Sequence, residues 1–255
     1  VLVFCHASCS QNEVIDALKR LGLWGDGPIS GDPSYPFRMT TLYDRDLPDK
    51  TAREKRLQAM DIWDRGVPAG GTRAEAYLRA RGIRLLNSQE LRYVPALRHY
   101  GTKKDFPAML ARISDNRGFC AVQRTYLDPA EPRKADVEGP KMTLGPMGPG
   151  AVRLKPLGPS GFLGVAEGVE TAMSAARLYS IPVWAALSAN RLGKLDMPPG
   201  VKVVTIFGDS GEVGRTEAFK AADEYERRGL PVEVIMPEAH FQKADDFNSI
   251  LQGRA

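Results

Sequence analysis

From Gly161 onward, short apolar runs alternate with amphipathic stretches. Phe162 to Ala166 has the unbroken apolar character of a buried strand, and Val169 to Tyr179 has helical spacing. Pro182 to Leu187 reads as a second strand and Val201 to Phe207 as a third, the most apolar of the set. Arg215 to Arg228 reads as an amphipathic helix stopped by Gly229, and Val232 to Met236 as a fourth strand. Strand and helix in such regular order predict an α/β fold, with a mostly parallel sheet and right-handed crossovers.

The first 160 residues are less regular. Val1 to Cys9 reads as a short strand, and Ser10-Gln11-Asn12-Glu13 as a capping box. That box opens a helix with Val14, Leu18 and Leu21 on one face. Residues 25–48 carry Gly25, Gly27, Pro28, Gly31, Pro33, Pro36 and Pro48 without periodicity, and read as a linker. A basic helix is expected from about Asp49 to Arg65, with Leu57, Met60 and Trp63 along its apolar edge. Thr72-Arg73-Ala74-Glu75 is a second capping box, and Gly82 a stop for its helix. Pro107 to Ser114 and Phe119 to Leu127 flank the turn Asp115-Asn116-Arg117-Gly118, a hairpin signal. Residues 128–160 are rich in Gly and Pro, with isolated lysines at Lys134, Lys141 and Lys155. Trp24, Trp63, Trp184 and Cys120 read as packing residues. No internal repeat is visible.

Composition narrows the class without choosing a function. The chain has 255 residues, 43% hydrophobic and 26% charged, with a formal charge of +4. That balance permits nucleic acid as a partner without demanding it. No apolar run is long enough to cross a bilayer and no stretch reads as a signal peptide, so the expected compartment is the cytoplasm. Three cysteines, Cys5, Cys9 and Cys120, cannot form a disulfide framework, which agrees with a reducing compartment. Val1 opens the chain in the middle of a strand-like run, so a natural beginning further upstream is expected.

In open parallel sheets, ligands bind at the carboxyl ends of the strands. Here those ends deliver Glu167-Gly168, Ser188 and Gly208-Asp209 to one rim, and Lys243-Ala244-Asp245-Asp246 returns further carboxylates toward it. An acidic residue at one strand end is often only a helix cap; two beside glycines point to a ligand site. Gathered carboxylates repel one another unless a hard cation joins them. Magnesium takes one or two carboxylates, keeps waters, and bridges to phosphates. With three histidines and no Ser-His-Asp set, metal-assisted phosphoryl transfer is the economical reading. Cys5 and Cys9 have a spacing suited to two of the four ligands of a structural zinc site. Arginines and lysines from Arg73 to Arg124 make the middle region basic.

Val165-Ala166-Glu167-Gly168-Val169-Glu170-Thr171-Ala172 resembles the first motif of Toprim domains, a strand ending in Glu-Gly. Ile206-Phe207-Gly208-Asp209-Ser210-Gly211 resembles the second, usually Asp-x-Asp. Asp246-Phe247-Asn248-Ser249-Ile250-Leu251 resembles the closing motif of primase-like Toprim proteins from phages, plasmids and integrative elements. The order of parts is similar to that of DnaG-type DNA primases. Cys5-His6-Ala7-Ser8-Cys9 resembles the second half of their zinc module, and Asp115 to Arg124 their hairpin ending in a basic residue. Gly139-Pro140-Lys141 sits where they carry a lysine segment, and Ala186-Leu187-Ser188 where they carry Ser-Leu-Gly. The likeness covers most of the chain, strong in the Toprim part and loose between residues 25 and 105. Two positions depart from the pattern: Gly211 replaces the second acidic residue, beside Glu212, and Ser249 stands where relatives often have Asp.

The resemblance implies a Toprim domain (Rossmann-like, mostly parallel sheet) preceded by a basic mixed α+β subdomain. Its implied divisions are the end of a zinc-binding module at 1–25 and a linker with a basic helix at 26–68. A primase-like subdomain at 69–155 and the Toprim domain at 156–255 would follow. It implies a primase-like nucleotidyltransferase acting on single-stranded DNA and nucleoside triphosphates with Mg2+ or Mn2+, Zn2+ in the full-length protein, a replicative helicase nearby, and no membrane. Glu167 would be general base or metal ligand near a primer 3′-hydroxyl. Asp209, helped by Glu212 or Asp246, would hold magnesium on the triphosphate, and Lys141 and Arg124 would steady phosphates and template. Lys243 would offset the carboxylates or meet the triphosphate. Cys5 and Cys9 would be half of the zinc site. Two alternatives stand beside it: a Toprim nuclease, or a catalytically weakened DNA-binding protein that docks on a helicase or conjugative machinery.

Overall fold

The structure, a computed structural model, describes residues 15, 16, 19, 50–85, 89–237 and 246–253. The chain divides into two compact units, residues 1–40 and 41–255. In the first unit Ile15, Asp16 and Lys19 are helical. The expected strand at 1–9, the linker at 25–48, Cys5, Cys9, Trp24, Lys243 and Asp245 lie outside the described residues.

In the second unit, the expected basic helix is α1 (Lys50–Asp64), which buries Arg56, Ala59 and Trp63. It lies on an antiparallel sheet of order β1-β2-β3-β4-β5: Val67–Pro68, Leu91–His99, Lys104–Asp115, Gly118–Tyr126 and Lys141–Leu144. The expected hairpin is β3–β4. Its turn is tied by Asp115 Oδ1, which accepts from the backbone N–H groups of Arg117 (2.8 Å) and Gly118 (3.0 Å). Strands β2 and β5 were not foreseen. Pro95 and a register shift between Val94 and Leu97 break the alternation of β2. Four partly buried residues between glycines make β5.

Helix α2 (Arg73–Ala80) starts where its capping box predicts, with Glu75 bonded one residue before the cap. Thr72 Oγ1 accepts from Ala74 N (3.2 Å), and Glu75 reaches back to the Gly71 N–H (2.7 Å). Gly82, at φ +72°, ends it.

The parallel sheet has order β7-β6-β8-β9: β6 is Phe162–Ala166, β7 Val183–Ala185, β8 Val203–Phe207 and β9 Val232–Ile235. Helices α3 (Val169–Tyr179), α4 (Glu212–Arg227) and α5 (Phe247–Gly253) and a 3-10 turn at Ala189–Lys194 complete it. Ala166 pairs with both Ala185 and Phe207, so the three strands end level with one another. Glycines press the turn after β8 into place. A Cβ on Gly214 would lie 2.3 Å from the Asp209 carbonyl oxygen, and one on Gly208 2.5 Å from Met236 Sδ.

The two sheets share a core. One face of the antiparallel sheet, with Val94, Leu110, Val122 and Tyr126, packs under α1. The other, with Met109, Ala111, Ile113 and Ala121, is continuous with Ala166, Val169, Ala172, Phe207 and Phe247 of the α/β part. No described helix is long and apolar enough to cross a membrane.

Candidate active site

Apolar strands β6 and β8 end at the same rim because their registers match, and the first polar residues beyond them are Glu167 and Asp209. The backbone carbonyl of Glu167 is held by the Leu187 N–H (2.7 Å), which fixes where its side chain starts. Asp246 stands just before α5, its Oδ1 accepting from Ser249 N (2.7 Å) and Ser249 Oγ (3.0 Å). Asp246 thus caps the start of α5, with Ser249 donating to it where a second acid would have repelled it.

Asp209 senses the other two carboxylates. Burial first, then the charges of Glu167 and Asp246, pushes the Asp209 carboxyl up to about 7, against the pull of Lys141. Burial also raises Glu167, again opposed by Lys141. Asp209 Oδ1 is buried with no hydrogen-bond partner among the described residues.

Lys141 enters the site from β5 and is anchored there. Its Nζ lies 2.8 Å from Glu170 Oε2, and Glu170, in the first turn of α3, is only 4% exposed. The other Glu170 oxygen accepts from Tyr77 Oη at 2.5 Å. Burial pushes this carboxyl up, but the Lys141 charge and the two side-chain hydrogen bonds outweigh it and hold the group at about 2. Burial and the adjacent Glu170 charge push the Tyr77 phenol up. Beyond this clamp, Ser174 Oγ donates to the Glu170 carbonyl (2.9 Å). Asn248 Nδ2 donates to Ser174 Oγ (3.1 Å) and to the Arg81 carbonyl (2.8 Å). Helices α2, α3 and α5 and strand β5 are thereby tied at one point.

Lys134 feels the charges of Lys141 and Arg81. Partly buried Lys134 is pushed down, by burial first and then by Lys141. Arg81 has its Nε buried with no hydrogen-bond partner among the described residues.

Of the residues expected at the site, Glu167, Asp209, Asp246 and Lys141 converge. Arg124 does not join them. It pairs with Met142 while Lys141 pairs with the next residue, Thr125, so strand alternation puts Arg124 on the opposite face, with Val122 and Tyr126. There it is 3% exposed, and its Nε is without a partner among the described residues. Glu212 is the exposed first residue of α4, and the carboxylates acting on Asp209 are Glu167 and Asp246. Glu170, Tyr77, Arg81 and Lys134 were not expected. Tyr77 and Arg81 stand four apart on and just beyond α2, a helical spacing that puts them on one side.

Among the described residues no group of three or more His, Cys, Asp or Glu side chains is already arranged to hold a metal ion. The donors nevertheless suit one. A buried carboxylate oxygen without a partner, beside two carboxylates that raise its proton affinity, is offset by a hard divalent cation taking few protein oxygens.

Comparison with known proteins defines the class. Residues 162–255 match the Toprim domain, and residues 53–154 match a domain of unknown function, DUF7146. Residues 162–255 form a Toprim domain, and the described part of the chain has the fold of DnaG-type primase catalytic cores. It is similar to the Aquifex aeolicus primase (zinc binding and RNA polymerase domains), with 17% identity and a TM-score of 0.54 over 97% of this chain. It spans 65% of the length of that structure. It is also similar to a DnaG catalytic core, with 14% identity over 78% of this chain and 76% of that one, TM-score 0.52. A third likeness is to a DnaG primase catalytic domain bound to ssDNA, with 14% identity over 81% of this chain and 79% of that one, TM-score 0.50. No curated protein sequence matches the chain.

Proposed function

We propose that this chain is the catalytic core of a DNA primase-like nucleotidyltransferase that joins nucleotides on single-stranded DNA in the cytoplasm. The observation that carries the reading is the polarised rim. Glu167 and Asp209 of the Toprim domain both feel the charge of Lys141, which is held in place by the buried Glu170, and Asp246 acts on Asp209. Asp209 and Asp246 would hold Mg2+ or Mn2+, which when bound neutralises charge on a phosphoryl group. Glu167, its proton affinity raised by burial, would take the proton of an attacking 3′-hydroxyl at a carboxylate oxygen. Anchored Lys141 offers fixed positive charge to phosphate oxygens. Cys5 and Cys9 would contribute two ligands of a zinc site, and the protein would come from a phage or other mobile element.

One observation favours a second reading, a catalytically weakened protein that binds DNA and docks on a helicase. Gly211 takes the place of a second acid, and Glu212 beside it is exposed.

The test is synthesis from labelled nucleotides on single-stranded DNA with magnesium or manganese, comparing the chain with its Glu167→Gln variant. Short products that fall by roughly a hundredfold or more in Glu167→Gln are expected, the scale of a lost general base. Intact DNA binding without products favours the second reading. Shortened template would instead mark a Toprim nuclease.

A further inference from the structure

Away from the carboxylate rim, the Toprim part carries a cavity of about 290 Å³. Its floor is core: Ile83 just beyond α2, Val183 at the start of β7 and Leu251 in α5, none more than 6% exposed. Leu154 and Met173 line it as well and are only partly buried against that core. Strands β6 and β7 run parallel and Val183 opens β7, so this floor lies toward the end of the sheet opposite Glu167 and Asp209.

Three cations stand at the same cavity. Arg84 follows α2, Lys155 follows Leu154, and Arg177 lies in the last turn of α3; all three are exposed. Arg177 Nη1 donates to the Gly82 carbonyl (3.1 Å), a neutral partner. None of the three forms an ion pair among the described residues, and no described Asp or Glu lines the cavity.

Floor and mouth ask for different parts of one ligand. An apolar cavity left wet forgoes the gain of leaving water. Its volume falls at the lower edge of the roughly 300–1,000 Å³ usual for ligand pockets, room for about one large apolar side chain. The cations belong to three separate stretches of chain, so a single carboxylate at the tip of a small molecule would reach only part of them. A peptide with acids on both sides of an apolar anchor meets all three.

We propose that this cavity docks an acidic segment of a partner protein. The segment inserts one apolar side chain above Ile83, Met173 and Leu251 and sets its flanking carboxylates against Arg84, Lys155 and Arg177. This surface stands apart from the carboxylate rim and does not depend on the primase reading.

The test is fluorescence anisotropy with a short labelled peptide in which one leucine is flanked on each side by glutamates. One control peptide has alanine for the leucine, and another has glutamine for the glutamates. Each control is expected to bind about tenfold or more weaker, and added salt should weaken the glutamate peptide alone. Arg84→Glu combined with Lys155→Glu should weaken the leucine peptide by about tenfold or more, at an unchanged unfolding midpoint because both side chains are exposed. Ala176→Trp, which fills the cavity without changing charge, should do the same. Leucine and alanine peptides that bind within about twofold of one another would reveal charge attraction alone and overturn the docking site. So would a leucine peptide that does not bind, or one that binds the doubly reversed variant as it binds wild type. Self-association of the chain in sedimentation that disappears in that variant would make a second copy the occupant and overturn the partner.

Discussion

At Asp209 a carboxyl with one oxygen shut away from water faces two other carboxylates. The folded chain consequently holds a proton that the unfolded chain would release. Between the ordinary carboxylate range and about pH 7, this group therefore takes stability away as the pH rises. A bound divalent cation reverses the effect by pairing with the ionised form. Asp209→Asn is expected to raise the unfolding temperature in chelator at pH 8 by a few degrees, since about 1 kcal/mol moves a chain of this size by roughly 2–4 °C. Magnesium should raise the wild-type midpoint and leave the variant's unmoved. A variant that melts below wild type in chelator would contradict this. Glu167 and Asp209 were legible in the sequence because each is the first polar residue after an apolar strand. Tyr77 and Glu170 were not, because they meet across 93 positions and neither carries a local signal of the other.

Among the elements, the turn into α4 departs most from the expected Toprim pattern. Gly211 caps that helix at φ +90° and ψ 165°, a conformation that side chains with a Cβ rarely adopt. The missing second acid is thus more than a single changed residue, since the backbone has settled into a shape suited to glycine. Gly211→Asp is expected to lower stability by about 1–3 kcal/mol in urea unfolding, without a gain in magnesium affinity. A stable variant with tighter magnesium binding would show that the turn adapts. Elements with strong periodicity or caps, such as α2, α3 and the β3–β4 hairpin, were readable to within a few residues. Strand β5 was not, because its order comes from pairing with β4 and not from its own four residues.

For the whole molecule, the clamp of Tyr77, Glu170 and Lys141 joins the antiparallel part to the Toprim part at the point where the chemistry is proposed. Lys141→Met would leave a buried carboxylate without its cation and is expected to destabilise the fold by about 3 kcal/mol. Adding Glu170→Gln should restore much of that loss, measured as a double-mutant cycle in denaturant. Simple additivity of the two changes would show that the pair is not coupled. Glu170 also carries a pH signature. Its ion pair stabilises fully above the ordinary carboxylate range, and that contribution fades as pH falls toward about 2. The slope of stability against pH in that window should flatten in Glu170→Gln. The sequence announced two regions of different character, yet the apolar face of the first sheet is finished by the second. A Toprim half of this kind is not a cassette to be lifted out and traded between proteins. Inheritance has to carry it together with the sheet that covers it, and a recombination breakpoint between them would leave both partners with an open flank.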